Sequence, residues 1–317
     1  MLDSYKHCVL CPRNCGVDRL SGIKGYCRET AELRLASAGI HWGEEPPITG
    51  TGGSGTIFVS GCNLGCRFCQ NYQISQNGMG RAVGVEEFAR ICLTLQEKGA
   101  ENINIVTGTH AVPAIVAGIK AAQSQGLTLP VLWNSSAYET SAALSLLDPV
   151  IAIYLPDLKT LDPMTAGIFF KTTDYPQYAQ AAILRMMENH PLTYKKRGAL
   201  AGPPLASGVI IRHLVVPLHL DSTREVLRWF GEKAQGRALL SVMTQYTPIN
   251  AGPMPNRSMN EQEYDTILGW LEEFDIDEGF FQELDSDTEW LPDFNQPNPF
   301  ASEHSTPLWH WKTGVLT

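Results

Sequence analysis

The sequence predicts an α/β protein: a partial (β/α)6 TIM-like barrel preceded by a small cysteine-rich metal-binding module. Three observations predict it. From residue 55 onward, short apolar runs alternate with amphipathic stretches in six β-then-α units, the order that builds a parallel sheet. The runs are continuously apolar, as strands are when both faces of a sheet are covered. Seven of the eight cysteines fall into two tight groups, at 8–27 and 62–69.

The elements follow in order. GTIFVSG (55–61) reads as the first strand, and VEEFARICLTLQEKG (85–99) as the helix after it, stopped by Gly99. Cys92 falls on the apolar face of that helix and reads as a small buried hydrophobe. NINIVT (102–107), LPVLWN (129–134) and VIAIYLPDLK (150–159) read as strands, with helices over 112–125, 138–147, 161–170 and 176–190. VIIRHLVVP (209–217) and ALLSVM (238–243) complete six strands, with helices over 222–234 and about 260–273. GFFQEL (279–284) is a weaker strand candidate, and 191–208 reads as a long loop. Three units result: a module and Pro/Gly-rich linker over 1–54, the barrel over 55–284, and a proline- and aromatic-rich segment over 285–317, expected to pack irregularly on the barrel.

A formal net charge of −9 argues against nucleic acid as a partner, which would call for a basic face. No run of 18 or more uncharged apolar residues appears, so no membrane span is expected. The opening MLDSYKHC lacks a basic, then apolar, leader, which makes the cytoplasm the expected location. In a reducing compartment the cysteines read as metal ligands rather than disulfides.

GCNLGCRFCQN (61–71) places Cys62, Cys66 and Cys69 in C-x3-C-x2-C spacing directly after the first strand. Iron–sulfur clusters are usually held by four thiolates. Three in one loop leave one iron of a cubane open to a small chelating molecule. Gly61 and Gly65 permit the positive-φ turns that such wrapping needs. The loop sits where βα-barrels carry their active sites, at the C-terminal ends of the strands. Half a zinc site is the bland alternative.

With Phe68 in the aromatic position, this loop resembles the signature of the radical S-adenosylmethionine (SAM) superfamily. Within it the chain resembles the pyruvate formate-lyase activating-enzyme group, most closely an orphan branch with an added N-terminal cysteine cluster. The resemblance implies a [4Fe–4S] cluster on Cys62, Cys66 and Cys69 that reduces SAM to methionine and a hydrogen-abstracting 5′-deoxyadenosyl radical. It also implies SAM contacts at the strand ends. Gly108 matches the first residue of the family's glycine–glycine–glutamate turn, with Thr109 and His110 replacing the others. Asn134 and Ser135 stand where the family has aspartate and threonine. Asp157 and Lys159 match its aspartate–leucine–lysine, where the aspartate helps bind a monovalent cation. Arg212, a charge inside an apolar strand, matches an arginine facing the SAM carboxylate, whereas His213 reads as structural. Near the family's tyrosine–histidine pair stand Tyr246 and Thr247, with Gln245 as a substitute hydrogen-bonding group.

Cys8, Cys11, Cys15 and Cys27 form C-x2-C-x3-C-x11-C, a complete set for zinc or for an auxiliary iron–sulfur cluster that would staple a segment too short for its own core. The expected activity is hydrogen abstraction, from a glycine of a partner glycyl-radical enzyme, from another protein, or from a small molecule. A flavodoxin or ferredoxin would supply the electron. A zinc-binding interaction module without chemistry is the competing class.

Overall fold

The computed structural model describes residues 2–195, 204–249, 252–284, 291–301 and 303–315, and within them the strand–helix alternation is present. The strands are β1 (Arg34–His41), β2 (Ser54–Val59), β3 (Arg81–Ala82), β4 (Ile103–Val106), β5 (Val131–Ser135), β6 (Ile153–Pro156), β7 (Thr193–Tyr194), β8 (Leu205–Leu214), β9 (Leu239–Met243), β10 (Gly279–Phe281), β11 (Ser305–His310) and β12 (Gly314–Val315). The helices are α1 (Pro46–Thr49), α2 (Tyr72–Ser75), α3 (Val85–Glu97), α4 (Val112–Ser124), α5 (Ser141–Leu147), α6 (Pro163–Phe170), α7 (Tyr175–Asn189), α8 (Leu220–Lys233) and α9 (Glu261–Glu273).

Parallel pairing runs unbroken from β2 through β4, β5, β6, β8 and β9 to β10. Six of these are the expected barrel strands, and β10 turns the weak candidate at 279–284 into a short seventh. Every residue of β2, β4 and β6 is buried, which is why those stretches are apolar without alternation. Helices close the outer layer, and α3 and α4 approach closely. A Cβ on Gly118 would lie 2.4 Å from Cδ1 of the fully buried Phe88.

Helix starts are set by local caps. Asp162 accepts from the backbone N–H groups of Met164 and Thr165 at α6, and Asn260 forms a capping box with Glu263 at α9. Helix α5 begins three residues later than expected. Tyr138 and Glu139 are drawn inward, and Thr140 caps the helix by accepting from Ala143 N.

The flanks depart from expectation. Residues 34–41 were assigned to the N-terminal module, yet β1 lies antiparallel on β2 in the main sheet. The segment over 285–317 was expected to be irregular, but it supplies β11, antiparallel to β1, and β12. Both stretches are short of long apolar runs, and their strand character comes from partners more than 260 residues apart, such as Ser37 and His310. Strand β8 starts at Leu205 because β7 pairs with it. The rest of the loop expected over 191–208 lies partly outside the described residues, as do 285–290 of the C-terminal segment.

Candidate active site

The loop after β2 is pinned from several sides. Gly61 and Gly65 adopt φ of 84° and 72°, the turns their lack of a side chain permits. Asn63 Nδ2 donates to Tyr138 O (2.7 Å), Arg67 Nε to Ile168 O (2.7 Å), and Gln76 Nε2 to Cys66 O (2.9 Å). The Leu64 N–H points at Cys62 Sγ (3.3 Å), and Ser75 Oγ lies 3.3 Å from Cys69 Sγ. Burial pushes the Cys66 thiol up and the Cys69 thiol to about 11. Phe68 is buried edge-on against Phe169, with Phe170 and Tyr246 beyond.

All three loop cysteines line one cavity of ≈ 720 Å³ at the C-terminal ends of the parallel strands. Its volume suits a small-molecule cofactor site. Asn134, Ser135, Asp157, Lys159, Arg212, Gln245 and Phe68 share its walls, so most of the expected site residues are brought together. Lys159 Nζ contacts Asp157 Oδ2 at 2.6 Å, the same-face pair that their spacing predicts. Burial opposes the charge on Lys159, but Asp157 and the nearby Cys66 thiol outweigh it and raise the lysine above its usual range. Gln245 accepts from Gln282 Nε2 (2.8 Å).

Gly108 and His110 are not on this wall. The short turn Thr109–Ala111 carries His110 inward, where Nε2 meets Ser60 O at 2.8 Å. Its Nδ1 is buried without a partner, and Arg19 donates to its carbonyl (2.6 Å). Burial, helped by the Arg19 charge, lowers His110 to about 3, so the ring is neutral. Gly108 instead abuts the indole of Trp133, and its neighbour Thr107 lines the cavity. Tyr246 donates its hydroxyl to Pro255 O (2.8 Å). His213 is structural as expected, held by Leu158 O and Thr223 Oγ1 and lowered to about 4 by burial.

Arg212 carries the clearest surprise. Its guanidinium is bound by Glu45, with Nε to Oε1 at 2.8 Å, and by Glu44. Burial works against its charge, yet the two carboxylates overcome that and hold Arg212 firmly protonated. Glu45 is buried too, and Arg212 keeps its carboxyl below the usual range. The sequence reading missed both glutamates because EEPP reads as linker. A buried arginine in need of a partner was the signal for them. Glu139 was missed as well. It is buried behind Ser135 and accepts from Thr109, Ser135 and Trp133.

In the N-terminal module Cys8, Cys11 and Cys27 are buried and Cys15 half-buried. Cys15 Sγ and Cys27 Sγ lie 3.1 and 3.5 Å from where a Cβ on Gly25 would stand. Arg19 Nη1 donates to Cys8 Sγ at 3.7 Å. Burial opposes the Arg19 charge, and Cys27 and Cys8 favour it. Among the described residues, no three Cys, His, Asp or Glu side chains close tightly enough to enclose a single metal ion. The chemistry of three loop thiols facing one shared cavity nevertheless fits a cluster with an open iron. No helix among the described residues is long and apolar enough to cross a membrane.

Residues 56–189 match the Radical SAM superfamily. The match places a radical SAM domain over this part of the chain, where the parallel strands and the three-cysteine loop lie. The chain is also 30% identical over 283 residues to an uncharacterized protein of Methanocaldococcus jannaschii, covering 86% of this chain and 76% of that one. It belongs to the same family as this archaeal protein. Two solved structures share the fold at low identity. A radical SAM methyltransferase from Sphaerobacter thermophilus is 13% identical with a TM-score of 0.51, over 72% of this chain and 66% of that one. The FeFe-hydrogenase maturase from Carboxydothermus hydrogenoformans is 15% identical with a TM-score of 0.50, over 71% of this chain and 52% of that one. The chain therefore spans about half to two thirds of the length of these solved structures.

Proposed function

We propose that the chain cleaves SAM reductively at a [4Fe–4S] cluster held by Cys62, Cys66 and Cys69 and abstracts a hydrogen atom from a further substrate. The observation that carries this is the convergence of the three loop thiols on one cavity with Asn134, Ser135, Asp157 and Lys159. A cluster held by Cys62, Cys66 and Cys69 would supply the one electron that reductive cleavage of the SAM sulfonium requires. The residues of the chain bind and orient. Lys159 and Asp157 present opposite charges to a zwitterionic methionyl group, and Asn134 offers a neutral hydrogen bond beside them, while the Ser135 hydroxyl is held by Glu139 and Ala137 N. Arg212, committed to Glu44 and Glu45, shapes the far wall. His110 supports the start of the loop from behind through Ser60 O, and Gly108 packs on Trp133.

The target the resemblance implies is a glycine of a partner glycyl-radical enzyme, and another protein or a small molecule would meet the same cavity. A low-potential donor such as flavodoxin or ferredoxin supplies the electron, in a cytoplasmic setting. The four N-terminal cysteines hold zinc or an auxiliary cluster, with Arg19 balancing the thiolate charge.

Anaerobic reconstitution tests the reading. Reduced protein given SAM is expected to release 5′-deoxyadenosine, and Cys66→Ala to release none. Undiminished product from that variant would overturn the ligand assignment. Deuterated candidate substrates then identify the hydrogen donor by label in 5′-deoxyadenosine.

A further inference from the structure

Arg13 lies between Cys11 and Cys15 in the N-terminal module, yet its guanidinium reaches out of it. Nε donates to Asn63 O at 2.9 Å, and Nη2 donates to Leu64 O and Phe170 O, each at 2.9 Å. Asn63 and Leu64 are the two residues after Cys62. Leu64 also aims its own N–H at Cys62 Sγ, so the residue whose carbonyl Arg13 holds is one that touches the sulfur. Phe170 ends α6, where unpaired carbonyls and the helix dipole favour a cation. The neighbouring carbonyls of Ile168 and Phe169 hold Arg67 of the same loop.

The guanidinium is fixed on its faces too. Its carbon lies 3.8 Å from the centre of the Tyr26 ring and 5.4 Å from that of Tyr138. Tyr26 immediately precedes Cys27, and the carbonyl of Tyr138 receives Asn63. Both cysteine-bearing stretches of the module therefore meet at this one side chain. A planar fork can serve three carbonyls in fixed directions, whereas a lysine ammonium is a single point of charge.

We propose that Arg13 is a positioning residue that braces the Cys62–Cys66 turn from the N-terminal module, so that ligation of Cys11 and Cys15 sets how firmly the catalytic loop is held. This rests on the reading of that loop as the cluster site. The test is amide hydrogen exchange of the 61–71 peptide, in metal-free and in anaerobically reconstituted protein. Arg13→Ala is expected to speed exchange there by about tenfold or more, and Arg13→Lys to recover only part of the protection. In reconstituted protein, Cys15→Ser is expected to speed exchange as well. Adding Cys15→Ser to Arg13→Ala is expected to change little, because both act through one contact. Unchanged exchange in Arg13→Ala, or an undiminished Cys15→Ser effect on that background, overturns the proposal. If Arg13→Ala does not fold by circular dichroism, Tyr26→Leu replaces it, with a smaller acceleration expected and none overturning. Exchange in the metal-free protein reads the brace directly. A wild-type protein that takes up no iron at the loop would end the cluster reading and leave this test decisive.

Discussion

Replacing Glu139 by Gln should make the protein's stability less dependent on pH. Glu139 is 2% exposed. Burial raises its carboxyl from the ordinary 4.5 to about 7, although Trp133, Thr109 and Ser135 each donate to it and pull the other way. Across that interval the folded state keeps a proton that the unfolded chain has released, so stability falls as pH rises through it and is level above about 7. At about 1.4 kcal/mol for each pH unit, the full loss is about 3 kcal/mol. Glutamine has no proton to lose. Its stability relative to wild type should therefore rise by about 2–3 kcal/mol between pH 5 and pH 8. Guanidinium unfolding of reduced, metal-free protein, followed by tryptophan fluorescence, measures this, since Trp133 stands against the carboxyl. All other titrations are shared by the two proteins and cancel. A stability difference that stays flat over this range would refute the argument.

Three further outcomes are expected. Arg212→Met leaves the buried Glu45 beside the half-buried Glu44 with no cation between them and should cost about 3–5 kcal/mol in denaturant unfolding, part of it recovered by adding Glu45→Gln; full stability in the single variant would contradict the ion-pair account. Gly118→Ala should lower the unfolding midpoint by about 1–3 kcal/mol, because overpacking against Phe88 outweighs the better helix propensity of alanine; a raised midpoint would show that α3 and α4 yield easily. Cys92→Ala should bind as much iron as wild type on anaerobic reconstitution, since Cys92 is fully buried in the α3 core; a drop in iron would make it a ligand.

The barrel was legible where the chemistry is local. Strands buried on both faces announce themselves as apolar runs. The three loop cysteines were legible because one short loop holds them all. What escaped depends on distant partners. Strand β1 carries Ala36, Ser37, Ala38 and Gly39, too small and mixed to read as a strand until β2 and β11 flank it. Glu45 meets Arg212 from 167 positions away, across a proline-rich stretch that reads as linker. Arg13 carries no local signal at all, since its carbonyl partners lie 50 to 157 positions along the chain. His110 misled for the opposite reason. Its place after a strand end suggested a cofactor contact, but one short turn rotates it behind the wall.

Strand β2 is paired on one side by β4 and on the other by β1, so among the described residues it has no edge left to accept β10. The ring of staves is thus barred from shutting by a simple swing of its last member. To shut, it would first have to peel β1 away along its whole register, from Leu35↔Val59 to His41↔Ser54. Phe58 of β2, Phe281 of β10 and Phe300 all line the chamber between these two end strands. A chain cut before Ser305 would strip β1 of its outer neighbour and bare a row of backbone donors on that side, an invitation to sticky edge-to-edge pairing.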